Sequence, residues 1–162
     1  MKNAAFVLFI LLAPVVLVLS ITGCSGRSTD TASAVVEIRE NMFITQINDI
    51  NINYRSYLGR TIKVEGFFRN NFWGDNHWFF VIRNGPGCCG DDGEIGFEVT
   101  WDPEYSGSGT NISQRDSFPA ENEWVEATGV LGSYNTFGLN RLYLVLSELK
   151  VLETRGLEFV TR

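Results

Sequence analysis

The chain has 162 residues, which is enough for one domain with a real hydrophobic core. Its 19 acidic side chains outnumber 13 basic ones, and its formal net charge at pH 7 is −6. An acidic chain without a basic run cannot neutralise a phosphate backbone, which argues against a nucleic acid as partner. The same charge argues against direct binding to anionic lipid.

The first 23 residues have the pattern of an export signal. Lys2 precedes an apolar run from Phe6 to Leu19, which is shorter than the about 20 residues that a membrane span needs. The segment Ile21-Thr22-Gly23-Cys24 then resembles a bacterial lipobox. This resemblance implies cleavage before Cys24 and attachment of lipid, including palmitate, to that cysteine. An ordinary signal peptide and an uncleaved anchor are the alternatives.

The rest of the chain predicts a tether and one domain. Residues 24–34 comprise the lipidated cysteine and a small, polar stretch. This stretch has too little apolar surface to order itself and is typical of a flexible linker. Residues 35–162 show no second linker and no repeat, so we predict a single domain on the extracytoplasmic face of the cell membrane.

Hydrophobic periodicity predicts the elements of this domain. Residues 35–38 predict a short strand. Phe43, Ile47 and Ile50 recur at helical spacing and predict a helix over 42–50, with a strand as the alternative. Further along, the pattern predicts a helical turn at 54–58, five strands at 61–68, 77–82, 94–101, 123–131 and 141–152, and loops at 70–76, 85–93 and 102–122.

This order of elements predicts an all-β fold with small α content. Gly66 and Gly129 fall inside predicted strands, where glycine marks a bulge or tight bend. Five strands with such bends favour an OB-like five-stranded Greek-key barrel, and a small sandwich is the alternative. A fold of this kind assigns no function by itself.

The loop at 85–93 carries an unusual pair of adjacent cysteines, Cys88 and Cys89, followed by Asp91 and Asp92. Thiolates select soft ions, so the pair predicts a metal site for Zn or Cu, with Asp91, Asp92 and the single histidine, His77, as further candidate ligands. The strong spacing of two cysteines separated by two residues is absent.

The same pair admits two other interpretations. Adjacent Cα atoms lie about 3.8 Å apart, less than a normal disulfide spans, so a vicinal disulfide would be strained and easily reduced. That property suits a thiol-redox protein in an oxidising compartment. Two small apolar residues packed under a glycine turn are the structural alternative.

Other residue patterns indicate no catalytic site. The acidic run from Asp91 to Glu94 lacks the alternating spacing of a calcium loop. The sequence also lacks a nucleophile motif, a phosphate loop and a second histidine. We therefore predict that the chain is not an enzyme.

Several segments together resemble a known family. They are Gly59–Phe67, Phe80–Arg83, Cys88–Asp91, Gly96–Val99 and Trp124–Gly129. In this order they are similar to the C-terminal extracytoplasmic domain of a bacterial family named as small subunits of a two-component permease. The resemblance covers roughly Met42 to Leu152 and implies a membrane permease as partner. The family has no established reaction, and its transmembrane helices are replaced here by the lipoprotein signal.

These observations lead to three hypotheses of function. The first is a lipid-anchored binding or accessory module that uses the Cys88-Cys89 loop for a soft metal or metalloid, or that serves a transporter. The second is a thiol-redox protein, and the third is a structural envelope domain that binds another protein.

Overall fold

The computed structural model describes residues 34–87, 90–111, 113 and 117–161. The described residues are mostly β, with 53% of them in strands and 16% in helices. The predicted signal segment, Cys24 and most of the predicted tether lie outside the described residues. Within them, no helix has the length and apolar character that crossing a membrane requires.

The N-terminal part of the described chain is helical, as the periodicity predicted. A 3-10 helix at Glu40–Met42 leads into helix α1, Phe43–Ile52, and a short helix α2 follows at Tyr54–Tyr57. The buried side chains of α1 are Phe43, Ile44, Ile47 and Ile50, which recur at helical spacing. They belong to the main hydrophobic cluster of the domain.

Within the described residues, seven strands form one mixed sheet. They are β1 (Val36–Glu37), β2 (Thr61–Trp73), β3 (Asn76–Gly87), β4 (Gly90–Thr100), β5 (Thr110–Asn111), β6 (Trp124–Thr136) and β7 (Leu139–Val151). Their order is β1-β2-β6-β7-β4-β3-β5, and β2 also pairs with β3. Each of the five long strands therefore pairs with two other long strands. β4 and β7 are parallel, and the other pairs of long strands are antiparallel.

Alternate residues of the long strands form the core. Val64 on β2, Val81 on β3, Phe97 on β4 and Leu144 on β7 are at most 2% exposed and share one cluster with α1. Because side chains alternate along a strand, the residues between them project from the opposite face of the sheet.

The two mid-strand glycines have different roles. The register of β6 and β7 shifts between Thr128 and Gly129, so the bulge expected at Gly129 is present. No such shift occurs at Gly66 in its pairing with β6. A Cβ atom at Gly66 would lie 2.3 Å from the carbonyl oxygen of Ile82, so glycine there permits the close approach of β2 and β3.

The strands are longer than their hydrophobic patterns predicted. β2 continues through the polar Asn70 and Asn71 to Trp73, because these residues pair with β3. β3 and β4 likewise continue into the glycine-rich segment predicted as a loop, with Gly85 opposite Gly93 and a shift before Gly87 pairs with Gly90. Backbone pairing with a neighbour outweighs the low strand propensity of asparagine and glycine here.

Candidate functional site

The predicted cysteine site falls largely outside the described residues. Cys88 and Cys89 follow Gly87 in the sequence and lie outside the described part of the chain, as do the side chains of Asp91 and Asp92. Among the residues that the structure does describe, no three metal-ligating side chains lie together.

His77 is the second residue of β3, and the last residue of this strand, Gly87, precedes the cysteines in the sequence. His77 and Gly87 are roughly 33 Å apart along the strand, at about 3.3 Å per residue. His77 is 5% exposed, and its Nδ1 lies 2.8 Å from Oδ1 of Asn70. Its ring stacks between those of Phe72 and Phe79. These contacts place His77 in the packing of β2 against β3.

The structure instead assembles a polar site around Glu98 of β4. Phe97 and Val99 enter the core, so Glu98 projects from the opposite face of the sheet, and it is nevertheless only 6% exposed. The hydroxyl of Tyr134 donates to its Oε2 at 2.8 Å, and the hydroxyl of Tyr105 donates to its Oε1. A buried carboxylate thus receives one hydrogen bond on each oxygen.

Three elements bring tyrosines to this carboxylate. Tyr105 lies in the loop after β4, Tyr134 near the end of β6, and Tyr143 on β7 opposite Glu98. The Tyr105 ring meets those of Tyr134 and Tyr143 edge to face, with centroids 5.8 Å and 5.2 Å apart. This geometry is favourable for aromatic pairs and holds the two hydroxyl donors in place.

Burial changes the acid–base behaviour of this group. Loss of solvent raises the pKa of Glu98 above its ordinary value of 4.5, and the two tyrosine hydrogen bonds and the charge of Arg141 oppose that rise. Burial, with the adjacent carboxylate, raises the pKa of Tyr105 and Tyr134 well above the ordinary tyrosine range. Both tyrosines therefore remain protonated donors at physiological pH.

Glu98 opens onto two adjoining cavities, of about 290 Å³ and 460 Å³, which share Phe80, Glu98 and Arg141. We call their combined lining the Glu98 groove. The smaller cavity is further lined by Asn51, Asn71, Ile82, Glu94, Gly96, Asn140 and Leu142. The larger is further lined by Trp78, Gly107, Tyr134, Thr136 and Phe137. Volumes of this order suit small-molecule sites, which measure about 300–1,000 Å³.

Aromatic side chains flank the groove. Indole Nε1 of Trp78 donates to the carbonyl of Gly107 at 3.2 Å, so the ring is fixed through its polar edge. Phe137, in the turn between β6 and β7, is fully exposed and has a φ of +51°. An apolar side chain held in solvent on a strained turn is a candidate for contact with a ligand.

A third cavity, of about 520 Å³, lies beside the loop after β4. Its described lining consists of Trp101, Asp102, Ser113 and Ser117, all of them exposed. It contains no buried charge comparable to Glu98 within the described residues, so the Glu98 groove is the better candidate site.

The Glu98 groove is not apparent from the sequence. Glu98 alternates with core residues, a pattern that is typical of a solvated strand face. The available signal was the group of tyrosines at 105, 134 and 143, because buried tyrosine hydroxyls require a partner. Their convergence depends on contacts between residues distant in sequence, which periodicity does not reveal.

One comparison with known proteins identifies a family, and none identifies an activity. A family model described as the DUF1980 C-terminal domain matches residues 27–155. No curated protein matches the chain significantly. Similar solved structures include two OBodies bound to hen egg-white lysozyme. OBody AM2EP06 has 13% identity and a TM-score of 0.39, covering 60% of this chain and 83% of its own. OBody NL8 has 12% identity and a TM-score of 0.37, covering 60% and 99%.

Proposed function

This chain belongs to the DUF1980 C-terminal domain family, and from that premise we propose that it is a lipid-anchored extracytoplasmic binding module whose ligand occupies the Glu98 groove. The observation that carries this proposal is the buried Glu98 carboxylate at the junction of two cavities. A buried charge without an ion-pair partner costs free energy, and binding sites are where such groups are retained.

The strand pairings support an OB-like barrel over residues 35–162. The five long strands pair in the closed cycle β2-β3-β4-β7-β6-β2, with β4 and β7 parallel. Barrels of the OB type bind ligands on the face of their second and third strands. These strands correspond to β3 and β4, which contribute Phe80 and Glu98 to the groove.

The acidic groups of the groove support binding rather than hydrolysis. Glu94 and Glu98 both line it, but they are held by different partners, because each oxygen of Glu98 accepts a tyrosine hydroxyl. Glu94 also lies 3.7 Å from the Arg69 guanidinium, which further separates its role from that of Glu98.

A ligand screen on the full-length chain tests the binding function. Neutral, cationic and anionic small molecules are added to protein in a sugar-free detergent, and binding is followed by thermal shift and by NMR of labelled tyrosine. We expect at least one of these three classes of compound to bind saturably and to shift the Tyr134 resonance. If no compound perturbs the groove tyrosines, the Glu98 groove is not a binding site.

The membrane anchor is tested separately. Cleavage before Cys24 would leave a tether of about ten residues, which spans roughly 15–20 Å as a flexible chain. This reach would place the domain beside a membrane permease, the partner that the family resemblance implies. Labelled palmitate should enter the wild type and not Cys24→Ala. Incorporation into both, or wild-type protein found entirely soluble, would contradict the anchor.

The cysteine pair supports a second candidate function, the capture of a soft metal. Gly87 and Gly90 pair across β3 and β4 and hold the two chain segments beside the cysteines together. Because His77 lies at the other end of β3, the ligands would come from Cys88, Cys89, Asp91 and Asp92. Zn(II) and Cu(I) should bind under reducing conditions, and equal affinity in the double variant Cys88→Ser/Cys89→Ser would exclude this site.

The thiol-redox alternative predicts a different measurement. A vicinal disulfide would change the mass of the purified protein by two hydrogens between oxidised and reduced samples. If that mass change is absent in every redox buffer, the thiol-redox alternative is excluded.

A further inference from the structure

We propose that the ligand of the Glu98 groove is a neutral oligosaccharide, an inference that rests on the binding function proposed above. The groove combines buried hydrogen-bond acceptors, donors at its edge and aromatic rings. A sugar is the common ligand class that needs all three, because its hydroxyls donate and accept while its C–H faces are apolar.

The floor of the groove is rich in acceptors. An ionised carboxylate has about four acceptor sites, and the two described bonds to Glu98, from Tyr105 and Tyr134, use two of them. The hydroxyl of Tyr134, which lines the larger cavity, already donates its proton to Glu98, so its oxygen can only accept from a ligand. A ligand that enters must therefore supply donors.

Donors lie at the edge of the same groove. Arg141 lines both cavities, is exposed and carries guanidinium N–H groups that act only as donors. The amide of Asn140 donates to the Tyr54 hydroxyl at 2.9 Å, and the amide of Asn71 also lines the smaller cavity. The ligand must therefore accept as well as donate, as a hydroxyl does.

Aromatic side chains provide the apolar surface. Trp78 and Phe80 are half-buried beside Glu98, and Phe137 projects from the β6–β7 turn. Rings of this kind bury a flat apolar face while polar atoms at the edge of the ligand remain hydrogen-bonded.

Charge argues against the competing ligand classes. Glu94 and Glu98 repel a polyanion, and the net charge of −6 opposes a nucleic acid, the other common ligand of OB barrels. Arg141 in both cavities opposes a simple cation. No described cluster of metal ligands adjoins Glu98. A neutral ligand is therefore favoured.

Calorimetric titration of the full-length chain in a sugar-free detergent tests this inference. The probes are the neutral tetrasaccharides of glucose and of N-acetylglucosamine and the acidic tetrasaccharide of galacturonic acid. We expect saturable binding of at least one neutral probe and binding weaker by about tenfold for the acidic one, a difference of about 1.4 kcal/mol. Equal or tighter binding of the acidic probe would overturn the inference.

Groove variants locate the site. Phe137→Ala should weaken binding of the neutral probe by roughly two- to tenfold through loss of an aromatic contact. Trp73→Ala is the matched control, since Trp73 is an exposed aromatic residue at the β2–β3 turn that lines neither cavity. Equal effects of the two variants would place the sugar elsewhere and overturn the proposal.

The sugar inference and the binding function of the groove are contradicted by different results. If an amine, a phosphate or a peptide shifts the tyrosine resonances of the groove in a saturable way and no neutral saccharide does so, the sugar inference is wrong and the binding function stands. If none of these probes perturbs the groove, both are wrong.

Discussion

Arg83 and Glu98 are buried charges on neighbouring strands, and their surroundings differ. Arg83 of β3 is 1% exposed. Its Nε donates to the Glu65 carbonyl at 2.9 Å, and one terminal nitrogen donates to Oε2 of Glu40 at 2.9 Å and to the Leu157 carbonyl at 3.1 Å. Glu98 of β4 receives two tyrosine hydroxyls but, among the described residues, has no cation within ion-pair distance.

The contrast separates a structural charge from one available to a ligand. The Arg83 guanidinium lies over the rings of Phe43 and Trp124, at 5.0 Å and 4.8 Å from their centroids. Its partners come from the N-terminal helix region, β2 and the C-terminal segment, so it ties these regions together. Glu98 adjoins open cavities instead and retains unused acceptor sites.

The largest predicted effect comes from removing the Arg83 charge. Arg83→Met should lower the free energy of unfolding by about 3–4 kcal/mol, because several buried hydrogen bonds and a paired charge are lost at once. Urea denaturation followed by tryptophan fluorescence measures this change. Arg155→Met is the control: Arg155 is half exposed and pairs with Glu158, so it should cost less than about 1 kcal/mol. Comparable losses would show that Arg83 does not join these regions.

A smaller effect is expected where Glu98 loses one donor. Tyr134→Phe keeps the ring and removes the hydroxyl that bonds Oε2, so the free energy of unfolding should fall by about 1–2 kcal/mol. The cost stays below that at Arg83 because the adjoining cavities let water replace the lost donor. Tyr143→Phe, in the same ring cluster but without a described bond to Glu98, should cost less. The reverse order in urea denaturation would contradict this account.

The two regions should respond to pH with opposite signs. Burial raises the pKa of Glu98 above 4.5, so its contribution to stability is present below pH 4.5 and is lost as the pH rises through the folded-state pKa. Hydrogen bonds from the backbone of Leu157 and from Arg83 lower the pKa of Glu40 below 4.5. Its contribution is therefore present above pH 4.5 and is lost as the pH falls through its own folded-state pKa.

Two substitutions separate these contributions. Unfolding free energies of Glu98→Gln and Glu40→Gln are compared with wild type on both sides of pH 4.5. We expect Glu98→Gln to flatten the pH dependence of the unfolding free energy above pH 4.5. We expect Glu40→Gln to flatten the same dependence below pH 4.5. If both variants change the same side, the assignment of opposite signs is wrong.

The contrast also shows what the sequence could predict. Local periodicity predicted α1 and the central part of each long strand, because each element buries one face. A mid-strand glycine predicted a bulge correctly at Gly129, but Gly66 shows no register shift with β6 and instead permits the close approach of β2 and β3. The extended ends of β2, β3 and β4 could not be predicted, because asparagine and glycine adopt strand conformation here only through pairing with a partner strand.

Neither buried charge could be identified from the sequence alone. Arg83 follows an apolar run, and its partners Glu40 and Leu157 are 43 and 74 residues away. Glu98 alternates with core residues and would be solvated without Tyr105, which a loop folds over it. The cysteine pair was evident from its local motif, but a local motif does not reveal which distant residues lie beside it.

The smallest predicted effect on stability concerns Phe137 at the edge of the groove. Its side chain is fully exposed, so Phe137→Ala should change the free energy of unfolding by no more than about 0.5 kcal/mol. Phe137→Gly should raise stability slightly, because glycine accepts the positive φ of +51° without steric cost. Thermal and urea denaturation of both variants measure these changes. A loss of unfolding free energy above about 1 kcal/mol in Phe137→Ala would mean that the ring packs against the domain. Phe137 would then be a structural residue and not an aromatic side chain that is available to a ligand.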